Sequence, residues 1–596
     1  MLHSTVLGYA VVTILYLQAL VTAAENSQTL LNSDAITPQP RQRPHRIAII
    51  GAGPAGSSTS YHLHKFSQQL LPPCESKPIQ IAVFDSNPYI GGRTTTVNAL
   101  SDSRYPVELG ASIFVKINHI LYNATRDFGL NASAKIYQSE PDSKYELGIW
   151  DGKDFVYRAA RDDDEDRGSW RGWWDIAKLL WKYGLSPIRT RQATTKAVGE
   201  FLKFYDEPIF PFDSIGDAVD ATGLHAYTGL TGKDVLQNAK VGDRFSREII
   251  QASTRVNYAS NLGGIHGLET LVCMAIEGAM AIEDGNWRIF DEMVRRTADG
   301  IFLNTTVTAV TKDEKKGTFK LTTANEEFNR QLKNDYGDEF DTVILAAPHQ
   351  FANVAFTPPL LVTPEKIPYV SLYVTLFTSP HRLSPSFFGL DSQADVPSSI
   401  LTTLSSELSD ELGSRRGVDA VGPPGFWSIS TLRILHPNTD GTFCGPTSNC
   451  TKLPPQTGAS EIQDTQYLYK IFSPAPLTES FLASLLGLQY PPKPENKNDD
   501  PVSLLPKSEI SWLQEKHWHS YPYELPRTTF ENFTLCSTEP CLSHGISDGI
   551  YYLSGMESFI STMETSALAG MNVARLVVEG LLDAQELREP LSGMVL

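Results

Sequence analysis

Much of what this chain lacks narrows its function. It has six cysteines among 596 residues, and none of their spacings suggests a metal site. Lysine and arginine number 50 against 68 aspartates and glutamates, giving a formal net charge of −18. No compensating basic stripe is visible, which argues against nucleic acid as a partner and says little about a small-molecule substrate. A convincing catalytic base is also missing. His266 and His349 are the candidates, and each reads more simply as a hydrogen-bonded structural histidine. His517-Trp518-His519 reads as a partly exposed aromatic-histidine turn. Long apolar runs are scarce too, the one notable case being Val6–Thr22 near the N-terminus. At 596 residues the chain is too long for one core, so two or more domains are expected.

What is present converges on a nucleotide fold. Ile47-Ala48-Ile49-Ile50 is a short apolar run of the kind a strand buried on both faces needs. Gly51, Ala52, Gly53, Pro54, Ala55 and Gly56 follow at once as a G-x-G-x-x-G turn. The first glycine of that pattern permits the tight turn, the second admits a pyrophosphate, and the third lets the next helix pack on the strand. Pro54 suits the first turn of that helix, expected over Ser57–Phe66, whose free N–H groups and positive dipole end face phosphate. Ile81–Asp85 reads as the second strand of a βαβ unit, with Asp85 placed to hold a ribose hydroxyl. Its delay beyond the usual ~20 residues is assigned to a loop insertion over Leu71–Gln80. Gly91-Gly92-Arg93 then puts a guanidinium beside the same pyrophosphate.

This succession resembles the amine-oxidase superfamily of FAD proteins. The resemblance implies an α/β architecture in which a Rossmann-type FAD-binding domain is interleaved with an α+β substrate-binding domain, as in amine oxidases and GDP-dissociation inhibitors. Residues 45–115, 281–348 and 545–585 are assigned to the first domain, and residues 116–280 and 349–544 to the second. By the same resemblance, Val107–Ala111 is a turn near the flavin, and Val307, ending an expected strand Ile301–Val307, meets the adenine through its backbone. Glu557 holds the ribityl chain, although Met556 intervenes between Gly555 and Glu557. Glu564 and Thr565 open a helix, continuing through Leu576, whose N–H groups meet the isoalloxazine.

The remaining segments describe an exported protein. Residues 1–24 read as a secretory signal with Val21-Thr22-Ala23 at the cleavage site; the competing reading is an uncleaved anchor, since the run approaches the ~18 residues of a spanning helix. Residues 25–44 form a polar linker. Five N-x-S/T sequons, at Asn123, Asn131, Asn304, Asn449 and Asn532, and the close pairs Cys444/Cys450 and Cys536/Cys541 fit that compartment. Cys273, in an apolar run, reads as a buried hydrophobe. Asp162–Asp166 is a solvated acidic loop, and Lys312–Asp341 a small hairpin excursion. Asp341–Pro348 and Val370–Phe377 read as strands, and Leu404–Pro424 and Pro491–Pro501 as mobile surface loops. Trp173, Ile176, Ala177, Leu180 and Tyr183 share a helical face, read first as core and alternatively as a peripheral membrane or pocket-mouth contact.

Glu108–Phe114, Val256-Asn257-Tyr258, Glu283–Asn286 and Met563–Ala567 together are similar to the prenylcysteine lyase (prenylcysteine oxidase) family, in order from about His45 to Leu576. The resemblance implies an FAD-dependent oxidase that cleaves a small lipidic thioether, farnesyl- or geranylgeranyl-cysteine, with O2 and water. The products are prenyl aldehyde, cysteine and H2O2, in the degradation of prenylated proteins in the lysosome, the vacuole or outside the cell. No protein partner is evident. An amine or polyamine oxidase is the nearest alternative; it would want a lysine near the flavin and an aromatic cage, and the sequence identifies neither. A desaturase-like flavoenzyme acting on an isoprenoid is a second alternative. A non-catalytic prenyl carrier of the GDP-dissociation-inhibitor type is the alternative from another class.

Overall fold

The structure is a computed structural model. It describes residues 43–72, 78–133, 143–161, 180–275, 277–437, 442–444, 450–452, 465–489, 505–538, 541 and 548–586. The signal segment, nearly all of the linker, the acidic run, Trp173–Ala177 and the Pro491–Pro501 stretch lie outside those residues. The chain divides into two compact units. Residues 1–45 with 74–78 form one, in which the His45 amide donates to the Pro78 carbonyl at 3.0 Å. Residues 46–73 with 79–596 form the other, described below.

The apolar run predicted as a buried strand is β1 (His45–Ile50), with Ile47, Ala48 and Ile49 fully buried. It turns at Gly51 into α1 (Pro54–Leu70), with proline in the first turn, and returns as β2 (Ile79–Phe84). Three strands distant in sequence complete the sheet's parallel part: β3 (Gly300–Phe302), β4 (Thr342–Leu345) and β5 (Ile550–Tyr552). The sheet order is Thr534–Leu535, β5, β4, β1, β2, β3. β1 pairs in parallel with β4, Ile47 opposite Thr342 and Ile50 opposite Leu345, and β4 pairs in parallel with β5. The C-terminal helix α2 (Met563–Glu586) packs on α1 so closely that the Ser58 hydroxyl donates to the Ala567 carbonyl at 2.6 Å. This is the Rossmann-type arrangement that the glycine turn implies, extended by strands brought back after long excursions.

The expected strand Ile301–Val307 is two strands. Asn304 adopts φ 51°, which ends β3, and a second strand runs Val307–Asp313. That strand pairs with Thr318–Thr323, giving the hairpin predicted over Lys312–Asp341.

A seven-stranded sheet forms the other half. Its order is Trp512–Pro522, Tyr369–Ser379, Gln466–Ser473, Ser428–Leu435, Ser399–Thr402, Tyr145–Trp150, Phe155–Ala160. The Val370–Phe377 run lies within its second strand. His517-Trp518-His519 is not a turn, since it falls inside the strand Trp512–Pro522. Leu404–Pro424, expected as a mobile loop, carries the helices Ser406–Leu412 and Val418–Val421 and is tied to the core by Arg255. That guanidinium is fully buried, donates to Thr402 Oγ1 (3.0 Å), Asn261 Oδ1 (2.9 Å) and the Val421 carbonyl (2.7 Å), and lies 4.7 Å from the Trp427 ring. A buried cation needs its donors matched, and the loop supplies two of the acceptors, the Ala420 and Val421 carbonyls. Cys536 and Cys541 form a disulfide, Cys273 is free and buried, and Cys444 stands opposite Cys450 in a two-stranded ribbon. Tyr183 is buried as its helical face predicted, whereas neighbouring Trp181 is 91% exposed. No helix among the described residues is long and apolar enough to cross a membrane.

Candidate functional site

A groove of about 1000 Å³, part of it open to solvent, runs along the carboxyl ends of β1, β2 and β4. Its walls bring together Gly51, Gly53, Pro54, Ala55, Asp85, Gly92, Arg93, Val307 and Glu557 from five separate stretches of chain. Gly51 has φ +114°, and a Cβ there would stand 2.9 Å from the Ala346 carbonyl oxygen. At Gly56 a Cβ would fall 1.9 Å from the Gly51 oxygen, so only glycine lets α1 sit this close. Gly53 differs: its Cβ would meet nothing nearer than 3.9 Å, which leaves room for a ligand at the backbone. The N-terminus of α1 has no side-chain cap and no acidic residue in its first turn. Its positive end is therefore left to an anion, which is what a pyrophosphate requires.

Asp85 and Ala52 cooperate at the turn. Asp85 is buried, and its Oδ2 accepts the Ala52 amide at 2.7 Å while Oδ1 accepts the Asn87 amide at 2.7 Å and its Nδ2 at 2.9 Å. The carboxylate thus braces the glycine turn from the wall where a ribose would lie.

Arg93 and Glu557, 464 residues apart, form an ion pair at 2.6 Å. Glu557 is almost fully buried and also accepts from the Tyr369 hydroxyl at 3.2 Å; Arg93 donates its other arm to the Ser520 carbonyl. Val107–Ala111 packs beneath, and Gly110 is obligatory there because a Cβ would lie 1.7 Å from the Arg93 oxygen. Val307 lines the groove at the start of its strand, beside a bulge in the pairing with Thr318–Thr323.

Glu564 and Thr565 are corrected by the geometry. Glu564 does not line the groove. Its Oε1 accepts the Ile120 amide at 2.8 Å and the Tyr205 hydroxyl at 2.7 Å, and its Oε2 accepts the Leu121 amide at 3.0 Å. It therefore caps the helix His119–Asp127, satisfying N–H groups that have no partner within that helix. Thr565 turns inward to the Ile560 carbonyl at 2.6 Å; of this helix start, Ser566 reaches the groove. Burial pushes the Glu564 carboxyl up to about 7 from its ordinary 4.5. The folded state therefore holds this proton more tightly than the unfolded one. Its contribution to stability is full below pH 4.5 and lost as pH rises to about 7. Glu564→Gln is expected to flatten that dependence, on the order of tenfold in the unfolding constant per pH unit, while leaving cofactor content unchanged. Denaturant titrations across that range, with an absorption spectrum, check both.

Neither histidine candidate lines the groove. His266 is fully buried and its Nδ1 accepts the Glu269 amide at 3.1 Å. His349 stands just past the wall formed by Ala346–Pro348 and stacks on Phe356 at 6.3 Å.

The places of three residues were not foreseen. Trp518 and Lys516, alternate residues on one face of the strand Trp512–Pro522, line the groove, and the Trp518 indole donates to the Leu109 carbonyl at 3.1 Å. His517 and His519 point to the other face, stacking on Tyr373 (4.5 Å) and Phe351 (4.8 Å). Lys470, in Gln466–Ser473, is a buried lysine whose Nζ donates to the Glu108 carbonyl (2.8 Å) and Ser112 Oγ (3.0 Å). Burial drives Lys470 down and Glu108 up, both toward neutrality. A single charged residue inside the apolar run Tyr467–Phe472 was the signal available for it.

The glycine turn, the uncapped helix start, Asp85 and the Arg93–Glu557 pair fit a dinucleotide, and the class they define is a Rossmann-type dinucleotide-binding protein. A family model described as an NAD(P)-binding Rossmann-like domain matches residues 49–128. A model described as prenylcysteine lyase matches residues 167–588, and the chain belongs to the prenylcysteine lyase family. It is 25% identical over 555 residues to farnesylcysteine lyase of Arabidopsis thaliana, covering 91% of this chain and 90% of that protein. It is 24% identical over 572 residues to prenylcysteine oxidase 1 of Mus musculus, covering 93% and 94%. Among solved structures, putrescine oxidase bound to putrescine aligns with a TM-score of 0.46 and 12% identity over 90% of this chain and 99% of that one, a likeness too low to carry any argument.

Proposed function

We propose that this chain binds FAD in the groove and oxidises farnesyl- or geranylgeranyl-cysteine with O2 and water, yielding prenyl aldehyde, free cysteine and H2O2. The observation that carries this is the meeting of Gly53, Arg93 and Glu557 over one groove in a member of this family. FAD, when bound, supplies a two-electron acceptor that O2 can restore. The α1 N-terminus and Arg93 hold the pyrophosphate, Asp85 the ribose, Val307 the adenine and Glu557 the ribityl chain. Trp518 lines the groove from the seven-stranded sheet, and Tyr369 of that sheet holds Glu557 in place.

The carbon beside sulfur in a prenyl thioether gives up hydride readily, because the sulfur lone pair and the allylic double bond spread the positive charge. Water adds there, and the hemithioacetal collapses to aldehyde and thiol. The hydride step needs no protein base, which agrees with the placing of His266 and His349 off the groove. Export to a lysosome, a vacuole or the cell exterior, in the service of prenylated-protein breakdown, completes the proposal; the apolar segment Val6–Thr22 and the Cys536–Cys541 disulfide support it.

Purified protein incubated with farnesylcysteine in air is expected to be yellow and to release farnesal and peroxide in equal amounts. A yellow protein silent on that substrate but active on amines would overturn the substrate; a colourless one that still held the lipid would overturn the enzyme.

A further inference from the structure

Away from the groove walls, three ionisable side chains meet in the interior. His266 and Glu269 stand at the start of the helix Gly267–Val272, and Glu524 follows the strand Trp512–Pro522, its carbonyl accepting the His266 amide at 2.6 Å. All three are at most 1% exposed. One ligating atom from each lies within 4.8 Å of the others, and His266 Nε2 is 3.6 Å from Glu524 Oε2. Among the described residues, neither oxygen of the Glu524 carboxyl group has a hydrogen-bond partner, and Glu269 and His266 Nε2 have only loose contacts, with the Tyr258 hydroxyl and Ser561 backbone and with the Phe559 backbone. Leaving two buried carboxylates charged and unmatched would be prohibitively costly, so a cation or a proton must reside here.

The histidine decides between them. Its Nδ1 accepts the Glu269 amide, which caps the helix and places the imidazole proton on Nε2, the nitrogen that faces the Phe559 backbone and lies 3.6 Å from Glu524. A metal-bound histidine uses the reverse arrangement, a bare nitrogen toward the metal and a proton on the other. We propose that His266, Glu269 and Glu524 form an uncharged triad, each carboxyl group holding its own proton, and that this triad positions the adjoining Ser554–Ser561 turn, which carries Glu557 into the groove.

The groups that face the triad come from every element around it. Tyr258 and the Ser561 backbone face Glu269, the Phe559 backbone and Arg527 face His266, and Glu557 faces Glu524. Cys273 and Tyr521 complete the shell, and the Tyr258 hydroxyl donates to the Ser561 carbonyl at 3.2 Å. Desolvation raises Glu269 from 4.5 to about 8, raises Glu524 well above its ordinary value, and lowers His266 to about 3. Carboxyl groups raised in this way contribute stability below pH 4.5, and that of Glu269 is lost as pH climbs to about 8. Ionised Glu269 faces Glu524, and ionised Glu524 sets a like charge against Glu557 from behind the turn.

The role toward the groove rests on the proposed cofactor site, but the protonation of the buried carboxyl groups is tested without any substrate. The holoprotein and its Glu269→Gln variant are unfolded in denaturant from about pH 5 to about pH 8, and metal content is measured on both. The expected result is an unfolding constant that rises more steeply in the parent, by on the order of tenfold per pH unit, than in the variant. Flavin release above about pH 8 is expected in the parent and not in the variant. Parallel pH profiles, or a stoichiometric divalent cation in the parent, would overturn the proposal. If the variant does not fold, infrared spectra of the parent decide. Bands of buried neutral carboxylic acids that vanish above about pH 8 support it, and their absence at neutral pH overturns it. Loss of activity on prenylcysteine alone would count against the substrate and leave the triad standing.

Discussion

Gly53→Ala protein is expected to fold like the parent and to purify without flavin, whereas Gly51→Ala protein is expected to lose both flavin and stability. The two glycines sit two residues apart and fail for different reasons. A methyl group at Gly53 meets no protein atom within 3.9 Å, so the apoprotein barely registers it and only a ligand pressed on the backbone would. Its stability should stay within about 0.5 kcal/mol of the parent. At Gly51 the backbone is held at φ +114°, and the added carbon meets the Ala346 carbonyl at 2.9 Å. That carbonyl belongs to a residue tied to β1, the Ala346 amide donating to the Ile50 carbonyl at 2.8 Å, so neither side can yield cheaply. The strain is about 3 kcal/mol, equivalent to roughly a hundredfold in an equilibrium constant. Absorption at the flavin band and denaturant unfolding separate the two. A Gly53→Ala protein that binds flavin as tightly as the parent would remove the pyrophosphate from this turn.

Arg93→Ala has the second largest expected effect. It strands Glu557, which is 4% exposed and would keep only the Tyr369 hydroxyl at 3.2 Å. Breaking a fully buried pair costs about 3–5 kcal/mol; because Arg93 is about one-third exposed, roughly 2–3 kcal/mol is expected here. The change also removes the groove's guanidinium, so flavin affinity should fall along with stability. Arg93→Lys restores charge without the two-pronged geometry and should recover part of each. In the double variant Arg93→Ala, Glu557→Gln most of the stability should return and the affinity should not. Stability and affinity that recover together would mean the pair serves the fold alone.

The glycine turn, the GGR arginine and the acid of the C-terminal segment were legible because each is a local pattern tied to a local conformation. Their mutual contacts were not. Nothing near Arg93 announces Glu557, because the pair is made by β5 crossing back beside β4. Glu564 was misassigned for the same reason: the amides it caps, Ile120 and Leu121, lie more than 440 residues away. His517-Trp518-His519 illustrates a period missed. Read as a turn, all three share one environment; read as a strand, Trp518 faces the groove and the histidines face away. Lys470 and the His266 triad could be seen only once sheet order was known, since burial, not residue type, makes them chemically unusual.

The groove's dependence on β5 and the Ser554–Ser566 segment bears on how the protein is made. Its first wall, around Gly51, leaves the ribosome more than 500 residues before Glu557 and Ser566, which complete it. β4, the strand between β1 and β5, also emerges some 200 residues ahead of its outer neighbour. A growing chain therefore carries a glycine turn and an exposed helix start with no enclosure around them until Glu557 and Ser566 have emerged. A truncation that removes α2 should therefore yield protein unable to retain flavin however well its first half folds.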